Sequence, residues 1–445
     1  MGRSVGAKIK RLAIGLAMMA LLWPLAVQSQ QKQPSNGNSQ TAVKPVATVE
    51  PVKEPAGDVP FVMTVKITGK RVGRDFFMPL VMDKVRHGIS AKRGAEYFIE
   101  KNVLAPKYVR AGRTRYALLR VKIYGRGYRS VRKAVVVFIK NYQLEDMPDS
   151  DRLFVSNSPE KIIKPGLLLE GSIDRHESIR YLLHHVNGTK SSLTFAFRLK
   201  NPGAVPISLL IVEGDPKKGT QELNVGHDSA YDFVMKSLNS LGRIVEIPPG
   251  GELAIHMVRL APGEIVSGLG EIRLLAGDRA DFVVTAGDPY GSKIANAGMV
   301  NPRELRRGHG AFGPPYVSIN DRFEIGGRWT FVGIGDKPLK NLADGKTDLM
   351  GNYGVTHKVN VTVFNPSETN EKCEVQFAPV SGPARGTLII DGEIVKLSVV
   401  KPPKKETIKT IWLKPGEERP VKIEMIPESG SFYPVRIVFS ARRIL

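Results

Sequence analysis

The sequence predicts a mainly β protein, and three observations predict it. From Arg152 onward, short Val, Ile, Leu and Phe runs are bounded by Pro-Gly, Asn-Gly and Asp-Gly steps, the text of strands closed by turns. Helical periodicity is scarce there. Two stretches, FAFRLKNPGAVPISLLIVEG from Phe195 and VNVTVFNPSETNEKCEVQFAP from Val359, share one build: an alternating apolar run, Asn-Pro, and a second apolar run. The chain therefore reads as two tandem β-sandwich (Ig-like) domains preceded by a small basic α+β or β module. Its expected boundaries are residues 1–29 for a signal peptide, 30–59 for a disordered linker and 60–146 for the basic module. Residues 147–300 form the first sandwich, 301–350 a connecting segment and 351–445 the second sandwich.

In order along the chain, the leader comes first. Arg3, Lys8, Lys10 and Arg11 precede an apolar run from Leu12 to Leu22, the layout of a secretory signal peptide. Val27 and Ser29 supply small residues for cleavage, which leaves Gln30 as the expected new N-terminus. The apolar run is shorter than the ~20 residues that span a bilayer. Residues 30–59 are rich in Gln, Pro and Ser with few large apolar side chains, so they bury too little surface to offset chain entropy and read as a tether.

Charge singles out the next segment. The protein carries 65 Lys and Arg against 43 acids, a formal +22, and residues 61–146 alone hold 20 bases against 6 acids, or +14. In RYALLRVKIYG, Leu119, Val121 and Ile123 alternate with Arg120, Lys122 and Tyr124, the mark of a half-buried strand with one cationic face. VRKAVVVFIKNY reads as its neighbour. SAKRGAEYFIEKNVL, from Ser90 to Leu104, is the segment expected to be helical. Arg110, Arg113, Arg115, Arg120, Lys122, Arg126, Arg129, Arg132 and Lys133 are the candidate polyanion-binding residues, interleaved with Tyr108, Tyr116, Tyr124 and Tyr128.

Within the β region, Asn187-Gly188 and Asp391-Gly392 each suggest a hairpin, because these pairs tolerate the two positive φ angles of a tight turn. SAYDFVMKSLNSLG near Ser229 is the main helical exception. Asn201 to Pro249 spans 48 residues and Asn365 to Pro415 spans 50, so the two Asn-Pro corners and later Pro-Gly turns are expected at equivalent places in the two sandwiches.

Chemistry is sparse. Cys373 is the only cysteine, which excludes an internal disulfide framework and a Cys-rich zinc site, and its strand setting predicts burial. Among eight histidines only RHESIRYLLHHV gathers three. His184 and His185 would point to opposite faces of a strand, so no metal centre is expected, and no cofactor either. NPRELRRGHGAFGPPY offers Arg303, Arg306, Arg307 and His309 among glycines, a weak candidate anion loop without the Gly-Lys-Ser/Thr ending of a phosphate loop. No nucleophile elbow or His-Glu-x-x-His motif occurs, and no catalytic residue is predicted.

RLFVSNSPEKIIKPGLLLEG and GNYGVTHKVNVTVFNPSE carry a resemblance: from about Arg152 to Leu445 the chain resembles a family of exported proteins of unknown function, best known from cyanobacteria. The resemblance implies export and β-rich domains and brings no assigned catalytic residues. It does not extend to residues 61–146. The expected function is that of a secreted or periplasmic, non-enzymatic cell-envelope binding or structural protein. Its expected partner is an anionic envelope polysaccharide, with other envelope proteins as further candidates and no natural nucleic-acid partner. The alternatives are a polysaccharide-active hydrolase with a cleft between the β domains, or an envelope assembly scaffold.

Overall fold

A computed structural model describes residues 53–100, 104–144, 149–158, 160–287 and 309–441. The expected signal peptide, most of the expected tether, and Arg303, Arg306 and Arg307 lie outside the described residues. Residues 53–445 belong to one compact unit, and no described helix is long and apolar enough to cross a membrane.

The first strands are β1 (Gly57–Asp58), β2 (Val62–Thr68) and β3 (Arg71–Gly73), followed by helix α1 (Arg74–Gly88). After it come β4 (Ser90–Ala91), β5 (Glu96–Ile99), β6 (Tyr108–Arg110), β7 (Thr114–Tyr124) and β8 (Val131–Tyr142). The helix expected over Ser90–Leu104 is not one: its described residues contribute β4 and β5, and the helix precedes them. Tyr97, Phe98 and Ile99 favour a pleated strand and pair antiparallel with β7. In α1, Phe77, Val81 and Val85 recur every fourth residue and are buried, the stripe of a helix on a sheet. Pro79, two residues into that stripe, gives the segment the look of a break.

The middle of the chain runs β9 (Arg152–Ser156), β10 (Lys161–Ile162), β11 (Gly166–Asp174), β12 (Ser178–Asn187), β13 (Leu193–Lys200), β14 (Ile207–Glu213) and β15 (Lys217–Gly219). Helix α2 (Glu222–Leu238) follows, then β16 (Gly242–Ile247), β17 (Glu252–Leu260), β18 (Ile265–Ala276) and β19 (Arg279–Gly287). The helix expected near Ser229 is present. The last part holds β20 (Gly310–Phe312), β21 (Tyr316–Glu324), β22 (Thr330–Ile334), β23 (Thr356–Phe364) and β24 (Glu371–Pro379). It ends with β25 (Thr387–Ile390), β26 (Glu393–Lys396), β27 (Glu406–Leu413), β28 (Glu418–Met425) and β29 (Val435–Ser440).

The fold is mainly β, with sheets stacked over apolar cores. One sheet contains the order β9-β12-β18-β14-β16, and facing it lies β11-β19-β13-β17. Side chains from both, including Phe154, Tyr181, Phe195, Phe197 and Phe282, fill one core. A second pair repeats the plan, with β21-β23-β28-β25-β26 against β22-β29-β24-β27 over Val359, Val361, Phe377 and Phe439. In each five-strand row the first two strands are parallel and the rest antiparallel. Cys373 is fully buried in the second core, and burial pushes its thiol up to about 12. The segment 301–350, expected to be a connection, supplies β21 and β22 to this second pair.

Two further expectations need correcting. Asn187-Gly188 does not close a hairpin: β12 pairs with β18 and β13 with β17, in opposite sheets. Asn365 also ends a strand, β23, whose successor β24 lies in the other sheet. Matched strand for strand, Asn365 therefore corresponds to Asn187 and not to Asn201. Asn201 is the same device at the β13–β14 crossing. The spacing misled because α2 and its flanks lie between β14 and β16, whereas the matching strands β25 and β26 are joined by Asp391-Gly392 alone. That last pair is a hairpin as expected, with φ of 50° and 85°.

The basic segment is not a separate body on a tether. Antiparallel pairing of β2 with β16 carries the first sheet on through β2-β8-β7-β5, making twelve strands. α1 covers one face of this extension over Val65, Ile67, Leu119 and Val137. The end of the expected linker is also part of the fold: Ala56 and Val59 are buried, and the Glu54 carbonyl accepts from the Arg129 amide at 2.8 Å.

Candidate polyanion-binding face

Alternation in β7 and β8 decides what the N-terminal strands present. Ala117, Leu119, Val121, Val135, Val137 and Ile139 point at α1 and are buried. Their neighbours in sequence must face the other way, and no element covers that side. Register builds rows across it. Val62 lies beside Val136 and Leu118, Thr64 beside Phe138 and Tyr116, and Lys122 beside Arg132 and Phe98. Tyr116 is 52% exposed, Phe98 50% and Phe138 36%. The middle of the face is thus apolar and aromatic. One end carries Arg120, Lys122 and Arg132; the other carries Lys140, with Lys66 ion-paired to Glu246.

The nine candidate residues do not all meet. Arg120, Lys122 and Arg132 share the open face, and Arg126 and Arg129 sit exposed in the adjoining β7–β8 turn. Arg110 and Arg113 lie at the opposite end, where Arg110 rides over the Tyr108 ring at 5.7 Å. Arg115 and Lys133 have the parity of the buried residues and fall on the α1 side. Lys133 is bonded to Asp58, which holds that carboxyl below its usual range. Phe98, Phe138 and Lys140 were missed, although period-two reading of RKAVVVFIK puts Arg132, Phe138 and Lys140 on one side.

His309, offered for an anion loop, has another role. It is 8% exposed, its Nδ1 accepts from the Ser158 amide at 3.3 Å, and burial takes it down to about 4. A neutral, buried acceptor is no anion ligand. Among the described residues no cluster of His, Cys, Asp or Glu has the arrangement to hold a metal ion.

A cleft of about 390 Å³ lies where the second sheet pair meets the first, lined by Arg180, Glu271, Tyr316, Lys358 and Glu424, among others. Arg180 is 3% exposed. It donates through Nε and Nη2 to Glu271 Oε1 at 2.9 and 2.7 Å, and through Nη1 to the Gly354 carbonyl and Thr356 Oγ1 at 2.9 and 2.8 Å. Tyr316 donates to the same Glu271 oxygen at 3.2 Å, and burial pushes its hydroxyl up to about 12. Asp149 is engaged by Lys358 at 2.8 Å. These carboxylates serve the joint between the sheet pairs.

No protein-family model matches the chain, and no curated protein does. Among solved structures it is similar to tripeptidyl peptidase 2 at 9% identity and a TM-score of 0.17, with 78% of this chain covering 30% of that one. It is similar to Lac15 from a marine microbial metagenome at 9% identity and a TM-score of 0.13, covering 72% of this chain and 70% of that one. A carbohydrate-binding module of the β-sandwich superfamily matches at 6% identity and 0.11, covering 45% and 88%. The chain spans under a third of the peptidase, and likenesses this loose carry no argument about function.

Proposed function

We propose that this is an exported, non-enzymatic binding or structural protein of the cell envelope that holds an anionic polysaccharide on the open face of its N-terminal sheet. The observation that carries the reading is that face itself. Aromatic and aliphatic side chains suit the flat faces of sugar rings, and cations at both ends suit carboxylate or phosphate groups along a polymer. The two sheet pairs are read as Ig-like domains that display the face, in keeping with the resemblance to exported β-rich proteins and with the signal-like leader.

The test uses point variants, because removing residues 61–146 would strip β2 from β16 and leave a bare sheet edge. Binding of the protein beginning at Gln30 to uronic-acid-rich, phosphate-rich and neutral polysaccharides is compared with that of Arg120→Ala/Lys122→Ala/Arg132→Ala and Tyr116→Ala/Phe138→Ala. The anionic polymers should bind, with affinity falling steeply between about 50 and 200 mM salt as neutralised polymer releases counterions. Both variants should bind at least about tenfold more weakly, a loss of roughly 1.4 kcal/mol. Salt-indifferent binding, or equal binding by the variants, would remove the face from the account. A marked preference for single-stranded nucleic acid, which also stacks on aromatic platforms among cations, would replace the polysaccharide.

A further inference from the structure

A second cavity, of about 270 Å³, opens where the first turn of α2 meets the loop between β28 and β29. Leu182 and His184 of β12 line it together with Asn157, Glu160, Glu222 and Phe432. His184 is 5% exposed, and its Nε2 lies 3.4 Å from Glu222 Oε1. Its Nδ1 has no hydrogen-bond partner, nor does the buried Oδ1 of Asn157. With Nε2 carrying the proton toward Glu222, Nδ1 is a bare lone pair, so both unpartnered atoms are acceptors. The carboxylates of Glu160 and Glu222 add only acceptors. Glu222 offsets the positive end of α2, and Glu160 leaves the wall with a surplus of negative charge. The nearby guanidinium of Arg385 is turned to Asn224, which it contacts at 2.7 Å.

A cavity that offers acceptors and negative charge is complementary to a donor-rich cation, and a buried polar atom left unpaired costs about 1–3 kcal/mol. We propose that this cavity binds a small ligand through a primary ammonium group, and that the ligand is an amino sugar. The ammonium brings three donors and one positive charge to Glu222, His184 Nδ1 and Asn157 Oδ1. Phe432, 52% exposed at the lip, offers a flat apolar surface to the sugar ring. The site is separate from the open sheet face and does not depend on it.

Calorimetric titration of the protein beginning at Gln30 tests this, with D-glucosamine, N-acetyl-D-glucosamine and D-glucose at about pH 7 and low salt. Glucosamine should bind, and the acetylated and amine-free sugars should bind at least tenfold more weakly. Glu222→Gln should weaken glucosamine by a similar factor. Glu160→Gln, an exposed change that leaves α2 untouched, should weaken it severalfold, which keeps the test valid if Glu222→Gln fails to fold. Equal binding of all three sugars would overturn the ammonium assignment. So would no binding of glucosamine by the folded protein, or affinity unchanged in both variants.

Discussion

Asn187 and Asn365, 178 residues apart, close the same corner in the two sheet pairs. Each ends a strand that crosses to the opposite sheet, and each is fully buried. Asn187 Nδ2 donates to the carbonyls of Ser191 and Leu260 at 2.9 and 3.0 Å, and Asn365 Nδ2 to those of Thr369 and Leu413 at 2.8 and 3.1 Å. The Oδ1 atoms accept from the amides of Thr189 and Ser367, two residues on. The main chain of each then pairs with a Pro-Gly turn: Gly263 donates to the Asn187 carbonyl and Gly416 to that of Asn365. Those glycines have φ of 78° and 70°, as the third position of a type II turn requires. Asn201 repeats the arrangement with Gly250 at 3.0 Å.

Replacing Asn187 or Asn365 with Ala should therefore strand two buried carbonyls and one amide, at about 1–3 kcal/mol for each group that water cannot reach. Asp should be nearly as harmful, since it keeps the acceptor and loses the donor. Urea unfolding measures both. A loss under about 0.5 kcal/mol would show that the corner holds without its side chain.

Arg180→Met should cost more, about 3–5 kcal/mol, because it leaves Glu271 buried without its counter-charge. Hydrogen exchange should locate the damage at Gly354–Thr356 and Tyr316, whose groups Arg180 reaches across the joint. Arg180→Met/Glu271→Met should recover most of the loss. Failure to recover would mean that the contacts to Gly354 and Thr356 matter more than the ion pair.

Acid should destabilise the fold in two stages. Burial holds His309 and His357 down to about 4, so the unfolded chain takes up their protons first, near 6.5. Stability present above that value is lost as pH falls from about 6.5 to 4, on the order of 3 kcal/mol for each histidine. Below about 4 the carboxylates take over, among them Asp344, which bonds to Thr347 hold at about 2. His357 accepts from the Gly335 amide at 3.2 Å and donates to the Val355 carbonyl at 3.2 Å, a pairing that only the neutral ring can make. His357→Gln should flatten the upper stage of a pH series of melting temperatures and leave the lower one. A profile flat between pH 6.5 and 4.5 in the parent protein would refute the assignment.

On the open face, Phe138→Ala should leave the melting temperature within about 2 °C, because its ring touches no core. Leu119→Ala, one strand away and facing α1, should cost about 2–5 kcal/mol. Equal losses would mean that something covers the face.

Much of this was legible locally. Period-two alternation in RYALLRVKIYG gave the buried and cationic sides of β7 correctly, because each residue's side is set by its immediate neighbours. Asp391-Gly392 was legible for the same reason. Asn187-Gly188 was not: whether two strands pair with each other or cross between sheets is decided by partners such as Val266 and Met257, more than 60 residues away. The gathering of Phe98, Tyr116 and Phe138 had the same obstacle, since it depends on register between strands. The cavity beside His184 joins residues from Asn157 to Phe432, and no short window contains it.

Pairing of β2 with β16 also sets an order of events. Lys66 meets Ile244 and Thr68 meets Gly242, so that edge of β2 has no partner until some 175 further residues have been made and delivered. At the far margin of the same sheet, β9 waits for Phe312. A chain that emerges from its N-terminus must carry a bare β edge through most of its own synthesis, when intermediates of this kind are prone to associate. Nascent chains stopped before residue 240 should accordingly need a chaperone that chains stopped after residue 320 do not.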